Sequence, residues 1–250
     1  MGYYFNVDKA MKEYGYKGQF PKYLHKVLLK IQTDPNITNV DEAAYLLATA
    51  KVESSYSLAR WESDYLCYDK SGVVMTGRHY KGNLPKDMPC QKALDYYKSS
   101  DGKANYYSKP LDKRGLPYFG RGLIQLTWDY NYKKYGDIIK IDLINKPELA
   151  LTPKNSYKIA SAYLKNRTFK YVNNKDFAGA RKSVKGKSKG WEEVKANYDK
   201  WKLILEKNKI NSPIKATLVN YKKPILITSS IVVLGVAGVV IAGVIKKTKK

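Results

Sequence analysis

The chain has 250 residues, and its 46 lysine and arginine residues outnumber 22 aspartate and glutamate residues, for a formal net charge of +24. This length supports one or two domains with a real hydrophobic core, and 23 tyrosines argue against a disordered chain. Two cysteines, Cys67 and Cys90, exclude a disulfide scaffold and a cysteine-based zinc site, and two histidines without an HExxH motif predict no metal centre. We expect no cofactor. The charge favours a polyanionic partner: nucleic acid, anionic lipid or an acidic cell-wall polymer.

Two helices are predicted in the first 55 residues. The sequence before them lacks the basic and apolar segments of a signal peptide. The Tyr- and Lys-rich residues 3–20 lead into a helix that begins at Pro21. Its apolar residues recur at helical spacing: Leu24, Val27, Leu28 and Ile31. A second helix begins near Asp41, has an apolar face of small residues and leucine, and ends around residues 53–55.

Residues 60–120 are rich in glycine and proline, which predicts loops, a short hairpin at 73–80 and one helix at 91–98. From Leu123 onward the helical pattern returns. Helices are predicted to begin at Pro153 and at Trp191, and the second extends to Leu205.

The end of the chain predicts a membrane anchor. Residues 207–224 are polar and indicate a linker. None of the 21 residues from 225 to 245 carries a charge. At about 1.5 Å per residue, such a helix spans the roughly 30 Å hydrocarbon core of a bilayer. Lysines flank the segment on both sides, and residues 246–250 form a basic tail. The alternative is a buried helix, which would normally show a polar face.

Glu53 is the first candidate for chemistry. It follows the apolar segment AAYLLATAKV and precedes two serines. A carboxyl group at the end of a buried helix is partly desolvated, which favours the protonated form that a general acid needs; the alternative is a surface glutamate. Glu62 lies nine residues later, so both can act on one bond only if the chain leaves the helix after Glu53. Asp64 is the alternative second carboxylate.

Residues 118–132, YFGRGLIQLTWDYNY, form the second candidate element. Gly120 and Gly122 permit a tight backbone path beside a ligand. Gln125, Thr127 and Asn131 offer the neutral donors and acceptors that read sugar hydroxyl and N-acetyl groups. No Gly-Lys-Ser/Thr sequence follows the glycines, so the segment is not a phosphate-binding loop.

This segment resembles the signature of glycoside hydrolase family 19, the chitinase and phage-endolysin group of the lysozyme-like superfamily. ATAKVESSY resembles the family's helix with the catalytic acid, and residues 146–164 and 176–186 are similar to its later helices. The resemblance covers about residues 20–205. It implies a mainly α, lysozyme-like helical domain with a small hairpin and loop lobe over residues 1–206, to which the sequence adds the linker and the transmembrane helix.

The resemblance also implies roles for single residues. Glu53 matches the general acid, Glu62 the general base and Thr127 the hydroxyl residue that positions water. The positions that match substrate-binding residues are Tyr118, Gln125, Asn131 and, less closely, Arg181. Val52 stands where the family often has histidine and Lys185 where it often has asparagine, and these differences affect the substrate subsites more than the reaction.

The sequence thus predicts a membrane-anchored, endolysin-like enzyme of a bacterial virus, in a virion membrane or host envelope. It would cleave β-1,4 bonds of peptidoglycan with inversion, and chitin is the alternative polymer. A lytic transglycosylase that uses Glu53 alone and a non-catalytic glycan-binding membrane protein are the other interpretations. No specific nucleic-acid partner is expected, because no recognition motif is present.

Overall fold

The computed structural model describes residues 3–15, 21–57, 112–113, 118–211 and 219–220. Within these residues the fold is mainly helical, as predicted. The α-helices are α1 (Val7–Tyr14), α2 (Pro21–Thr33), α3 (Val40–Ser54), α4 (Asp129–Ile139), α5 (Pro153–Arg167), α6 (Phe169–Asn173), α7 (Phe177–Lys185) and α8 (Trp191–Lys207), and Pro147–Leu151 forms a 3-10 helix.

Four helices begin where the sequence pattern places them, and the structure confirms these predictions: α2, α3, α5 and α8. The short helices α1 and α6 were not predicted, whereas α7 lies within residues 176–186, which resemble one of the family's later helices. The helical pattern does not resume at Leu123, because residues 118–128 follow an extended and turning path and α4 begins only at Asp129.

Helix α3 is the centre of the core. Every residue from Glu42 to Ala50 is buried, so this helix lacks the exposed face that a surface helix would have. Four of these residues are alanines, whose small side chains allow neighbouring helices to approach closely. Its main packing partner is α8, and it also contacts α5 and α6.

Part of the predicted linker packs on the N-terminal segment. Phe5 and Lys209 form an isolated antiparallel bridge, and the amide of Ile210 donates a 2.8 Å hydrogen bond to the carbonyl of Tyr4. The Asn220 side chain accepts from the amide of Val7 and donates to the carbonyl of Phe5, both at 2.9 Å. One compact unit comprises Met1–Asn220, so residues 208–210 and 219–220 belong to the folded unit.

Several predictions fall on residues that lie outside the described ranges. They are the hairpin at 73–80, the helix at 91–98, the transmembrane helix at 225–245 and the basic tail. None of the helices in the described part of the chain is both long and apolar enough to cross a bilayer.

Lys140 ends α4 in a strained conformation. Its φ of 60° lies in the left-handed region, where a residue with a Cβ costs about 1 kcal/mol or more. We expect Lys140→Gly to raise the free energy of unfolding by about 0.5–1 kcal/mol, because glycine relieves this strain at an exposed position. Urea unfolding measures the change. Lys134→Gly within the same helix should instead lower the free energy by about 1 kcal/mol, and a gain there would contradict the argument.

Asp41 joins the start of α3 to α8. Its carboxylate accepts hydrogen bonds from Lys175 at 2.5 Å, from Lys202 at 3.0 Å and from the Tyr198 hydroxyl. Burial pushes the pKa of Asp41 upward, but these hydrogen bonds outweigh burial and lower the pKa to about 2. Because the folded state favours the ionised form, Asp41 stabilises the fold above about pH 4, and this contribution disappears as the pH falls toward 2.

Asp41→Asn should therefore make unfolding less sensitive to acid. Between pH 4.5 and about pH 2, the wild type should lose on the order of 1–2 kcal/mol more stability than the variant. Urea unfolding at several pH values measures this difference. Asp137→Asn is the matched control, because Asp137 is 69% exposed and pairs with the exposed Lys133 on its own helix. Equal acid sensitivity of Asp41→Asn and wild type would contradict the assignment.

Candidate active site

Glu53 lies at the end of α3, where the chain turns sharply. Helix α3 ends at Ser54, and Ser55 and Tyr56 follow with φ values of 52° and 69°. The amides of Ser55 and Tyr56 donate to the carbonyls of Lys51 and Ala50, which satisfies the last turn of the helix. The chain therefore leaves the helix directly after Ser54, within the range 53–55 that the sequence predicted.

A buried aromatic cluster fixes this turn. Tyr56 is fully buried, and its hydroxyl donates to the Tyr14 hydroxyl and accepts from the Trp201 indole, both at 2.8 Å. The Tyr14 ring stacks on Trp201 with 4.0 Å between the centroids. The residues after Glu53 are thus anchored to α1 and α8, which holds the end of α3 in place.

Arg181 of α7 is the direct partner of Glu53. The guanidinium Nη1 donates a short hydrogen bond to Glu53 Oε1. The Arg181 side chain is only 2% exposed, and that of Glu53 is 17% exposed. The sequence predicted Arg181 as a substrate-binding residue. In the structure it is a buried cation in contact with Glu53, and its predicted contact with substrate stays a prediction.

Helix α7 is shaped to bring Arg181 to this position. Asp176 caps its N-terminus by accepting a 2.7 Å hydrogen bond from the amide of Gly179. A Cβ at Gly179 would lie 2.1 Å from Asp176 Oδ2, so a side chain there would displace the cap. The glycine in DFAGARK therefore permits the tight first turn that places Arg181 on the inner face of the helix.

The signature segment begins with a tight hairpin-like turn. Arg121 and Leu126 form a two-way backbone bridge, with N···O distances of 3.1 and 2.9 Å. Gly122 has a φ of 76°, and a Cβ there would lie 2.7 Å from Ser156 Oγ and 2.9 Å from the Ala150 carbonyl oxygen. The Ser156 hydroxyl also accepts a 2.8 Å hydrogen bond from the amide of Leu123. The turn is thereby seated on the start of α5.

Arg121 is buried within the signature segment and contacts its aromatic residues. It is 1% exposed, its guanidinium lies 3.8 Å from the Phe119 ring centroid, and its Nη1 donates to the Tyr132 hydroxyl at 2.7 Å. The Tyr132 hydroxyl donates to the Phe119 carbonyl at 2.8 Å. This role of Arg121 was not predicted, although an arginine between two glycines and beside aromatic residues is a signal for this kind of stacked, buried cation.

The predicted sugar-contacting residues make local hydrogen bonds. Gln125 Nε2 donates to the Gly122 carbonyl at 2.9 Å, Thr127 Oγ1 to the Gln125 carbonyl at 2.9 Å, and Asn131 Nδ2 to the Thr127 carbonyl at 2.8 Å. Gln125 itself has a φ of 53°. This chain of bonds fixes the turn before α4, and binding of sugars by these residues stays a prediction.

Tyr118 also forms a hydrogen bond within the protein. It is 5% exposed, and its hydroxyl donates to the Ile144 carbonyl at 2.9 Å. These contacts give Tyr118 a structural role at the base of the signature segment, and its predicted contact with substrate stays a prediction.

Tyr163 of α5 lies between α4 and helix α7, which carries Arg181. Its ring is 5.0 Å from that of Tyr135 on α4, and its hydroxyl lies 3.3 Å from the carbonyl oxygens of Ser183 and Val184 on α7. Burial raises the pKa of Tyr163, and the negative charge of Glu53 contributes to the rise. Helix α5 therefore contacts both α4, which begins in the signature segment, and α7, which carries Arg181.

The second carboxylate lies outside the described residues. This holds for Glu62 and for the alternative Asp64, and also for Cys67 and Cys90. The described part of the chain holds no group of three His, Cys, Asp or Glu side chains that could bind a metal ion.

A central part of the chain, which includes the signature segment, matches a known protein family. Residues 75–171 match the sequence model of glycoside hydrolase family 19, described as chitinase class I. The resemblance to this family is confirmed. The matched range includes residues 118–132, whereas Glu53 and Arg181 lie outside it, so their assignment rests on the geometry above.

Individual relatives match over shorter stretches. The chain is 44% identical to an endochitinase of Pisum sativum over 93 residues, which is 35% of this chain and 29% of the relative. It is 53% identical to endochitinase 1 of Theobroma cacao over 47 residues, 18% of this chain and 15% of the relative. An inactive chitinase-like protein 1 of Hevea brasiliensis is 39% identical over 62 residues, 23% of this chain and 20% of the relative. The chain thus spans less than a third of each of these relatives.

Among solved structures, chitinase C from Streptomyces griseus HUT6037 superposes with a TM-score of 0.48 and 20% sequence identity, covering 82% of this chain and 94% of that protein.

Proposed function

We propose that the chain is a glycoside hydrolase that cleaves β-1,4 bonds between N-acetylated sugars, with Glu53 as the general acid. The observation that carries this proposal is Glu53 itself, a partly exposed carboxyl group at a fixed helix end, oriented by the buried Arg181. A positioned carboxyl group of this kind can protonate the oxygen of a leaving sugar. The family match over residues 75–171 and the endochitinase relatives support the same chemistry.

Peptidoglycan is the substrate that we favour. The first 224 residues carry 42 basic and 22 acidic residues, a net charge of +20, which suits an acidic cell-wall polymer better than neutral chitin. The relatives that are named endochitinases make chitin the alternative. Rates on purified peptidoglycan and on colloidal chitin, measured at low and at physiological salt, distinguish the two. Faster cleavage of chitin would move the assignment to a chitinase.

The proposed reaction is inversion by two carboxylates, in which Glu53 protonates the leaving oxygen and Glu62 activates water on the opposite face of the sugar. A transglycosylase would use Glu53 alone. Mass analysis of the digested glycan tests this, because hydrolysis gives reducing ends and transglycosylation gives 1,6-anhydro ends. If Glu62 is the base, azide should restore turnover to Glu62→Ala but not to Glu53→Gln, since azide replaces the attacking water and cannot protonate the leaving group.

A non-catalytic glycan-binding protein on the same fold is the second candidate. One relative is named an inactive chitinase-like protein, and Lys185 stands where the resemblance leads one to expect asparagine. Zymography of the wild type on embedded peptidoglycan and chitin decides the question: cosedimentation with glycan but no clearing in either gel would favour the binding protein.

We further propose that residues 225–245 anchor the protein in a membrane, since they contain no charge and are flanked by lysines. In the full chain, alkaline carbonate should fail to extract the protein from membranes, whereas a variant without residues 225–250 should be released. Release of the full chain would contradict the anchor. An origin in a bacterial virus, with a place in a virion membrane or a host envelope, stays a prediction.

A further inference from the structure

A row of three polar side chains follows one face of α3 toward α7. Tyr45, Thr49 and Glu53 are spaced four residues apart, so they lie above one another on the helix. Tyr45 and Thr49 are fully buried, and the Tyr45 ring lies 6.4 Å from the ring of Phe177, the first residue of α7. Arg181 reaches Glu53 from the same helix.

The charges of Arg181 and Glu53 both affect the pKa of Tyr45. Burial raises the pKa of Tyr45, the positive charge of Arg181 and the hydroxyl of Thr49 oppose that rise, and the negative charge of Glu53 adds to it. The Tyr45 hydroxyl therefore lies within electrostatic range of the ion pair, although it is not part of the hydrogen bond between Arg181 and Glu53.

Three polar atoms in this cluster are buried and, apart from the interaction between the Tyr45 and Thr49 hydroxyl groups, make no hydrogen bond in the part of the chain that the structure describes. They are Tyr45 Oη, Thr49 Oγ1 and Arg181 Nε. A buried polar atom without such a bond costs about 1–3 kcal/mol, and a native structure needs a reason for each one. Phenylalanine and valine would fill nearly the same volumes without that cost, so packing alone does not explain the two hydroxyl groups.

We propose that Tyr45 and Thr49 are positioning residues that provide Arg181 with a second set of oxygen acceptors whenever Glu53 is protonated. The proposal rests on the proposed function, in which Glu53 acts as a general acid. Glu53 donates its proton only as the carboxylic acid, and in that form it no longer offers Arg181 an anionic acceptor.

The hydroxyl groups of Tyr45 and Thr49 replace this acceptor. When Glu53 takes up a proton, the buried guanidinium loses an anionic acceptor, and an unpaired buried cation is costly. Arg181 then bonds to the oxygens of Tyr45 and Thr49 and stays positively charged throughout. Glu53 transfers its proton to the glycosidic oxygen as the bond to the sugar breaks, and the resulting carboxylate pairs with Arg181 again.

A stability cycle tests this without any measurement of activity. Glu53→Gln imitates the protonated acid, because its side chain is neutral. In the wild-type background Tyr45→Phe should leave the melting temperature unchanged or raise it, since it removes a hydroxyl without an ordinary hydrogen bond. In the Glu53→Gln background the same change should lower the melting temperature by about 2–4 °C, because Arg181 loses its second acceptor.

Tyr3→Phe is the matched control for this cycle. The Tyr3 hydroxyl is also buried without an ordinary hydrogen bond among the described residues, and burial, with Glu206, raises its pKa to about 12. Tyr3→Phe should change the melting temperature equally in both backgrounds. An equal effect of Tyr45→Phe in both backgrounds would overturn the proposal, whether or not the protein cleaves glycan.

Kinetics give a second test. Tyr45→Phe should lower kcat roughly 5- to 20-fold with KM within about twofold. It should also move the alkaline limb of the kcat profile to lower pH, because Arg181 then lacks the Tyr45 oxygen as an acceptor while Glu53 carries its proton. Thr49→Val should act in the same direction and Tyr3→Phe should not. An unchanged kcat and pH profile would overturn the proposal, whereas a wild type inactive on every glycan would instead refute the proposed function.

Discussion

Glu53→Gln should remove nearly all glycan cleavage while leaving the fold and glycan binding in place. The amide has nearly the same shape as the carboxyl group and can still accept a hydrogen bond from Arg181, but it has no proton to give to the leaving oxygen. Loss of a general acid lowers a rate by about 10²–10⁴-fold, and we expect the upper part of this range. Release of soluble sugars from peptidoglycan and from chitin measures the rate.

Glu192→Gln is the matched control, because Glu192 is an exposed glutamate in the first turn of α8. Its rate should stay within about twofold of wild type. Cosedimentation with insoluble glycan should be equal for wild type and both variants, which separates a loss of chemistry from a loss of binding. If Glu53→Gln keeps more than a tenth of the wild-type rate, another group protonates the leaving oxygen.

The position of Glu53 could be predicted from the sequence because the signal is local. An apolar run followed by Ser54 and Ser55 indicates a buried helix that ends at a known residue, and the observed left-handed residues after Glu53 complete that turn. The long helices α2, α3, α5 and α8 were predicted for a similar reason, since each has several turns of periodic pattern.

The partner of Glu53 could not be predicted in this way. Arg181 is 128 residues away in sequence, and nothing in the local pattern of a basic helix distinguishes a buried arginine from a surface one. Helices α6 and α7 have only five and nine residues, too short to show a clear period. The family resemblance assigned Arg181 to substrate, and only the tertiary structure shows that it contacts Glu53.

The packing of residues 208–210 and 219–220 depends on equally distant contacts. Asn220 and the residues after α8 are polar and lie near prolines, which indicates a linker. Their partners include backbone groups of residues 4–7, more than 200 residues away. Composition shows that the segment is polar, but it gives no information about pairing between the two ends of a domain.

Arg181→Met should destabilise the protein by about 3–5 kcal/mol, the usual cost of removing one member of a buried ion pair. The variant leaves the partly buried carboxylate of Glu53 without its cation, and it also removes the charge near Tyr45. Urea unfolding at pH 7 measures the loss. Arg167→Met is the matched control, because Arg167 is only half-buried and lies 5.1 Å from the Tyr163 ring centroid. Its loss should be about 1 kcal/mol or less.

The double variant Glu53→Leu/Arg181→Met separates the two sources of this effect. Replacement of both partners by apolar side chains leaves no unpaired charge, so the double variant should be more stable than Arg181→Met alone. The coupling between the two sites should then be about 1–3 kcal/mol. If the two losses simply add, the pair contributes nothing beyond separate packing. Arg181 would then no longer account for the orientation of Glu53, and the proposed acid would need another source of order.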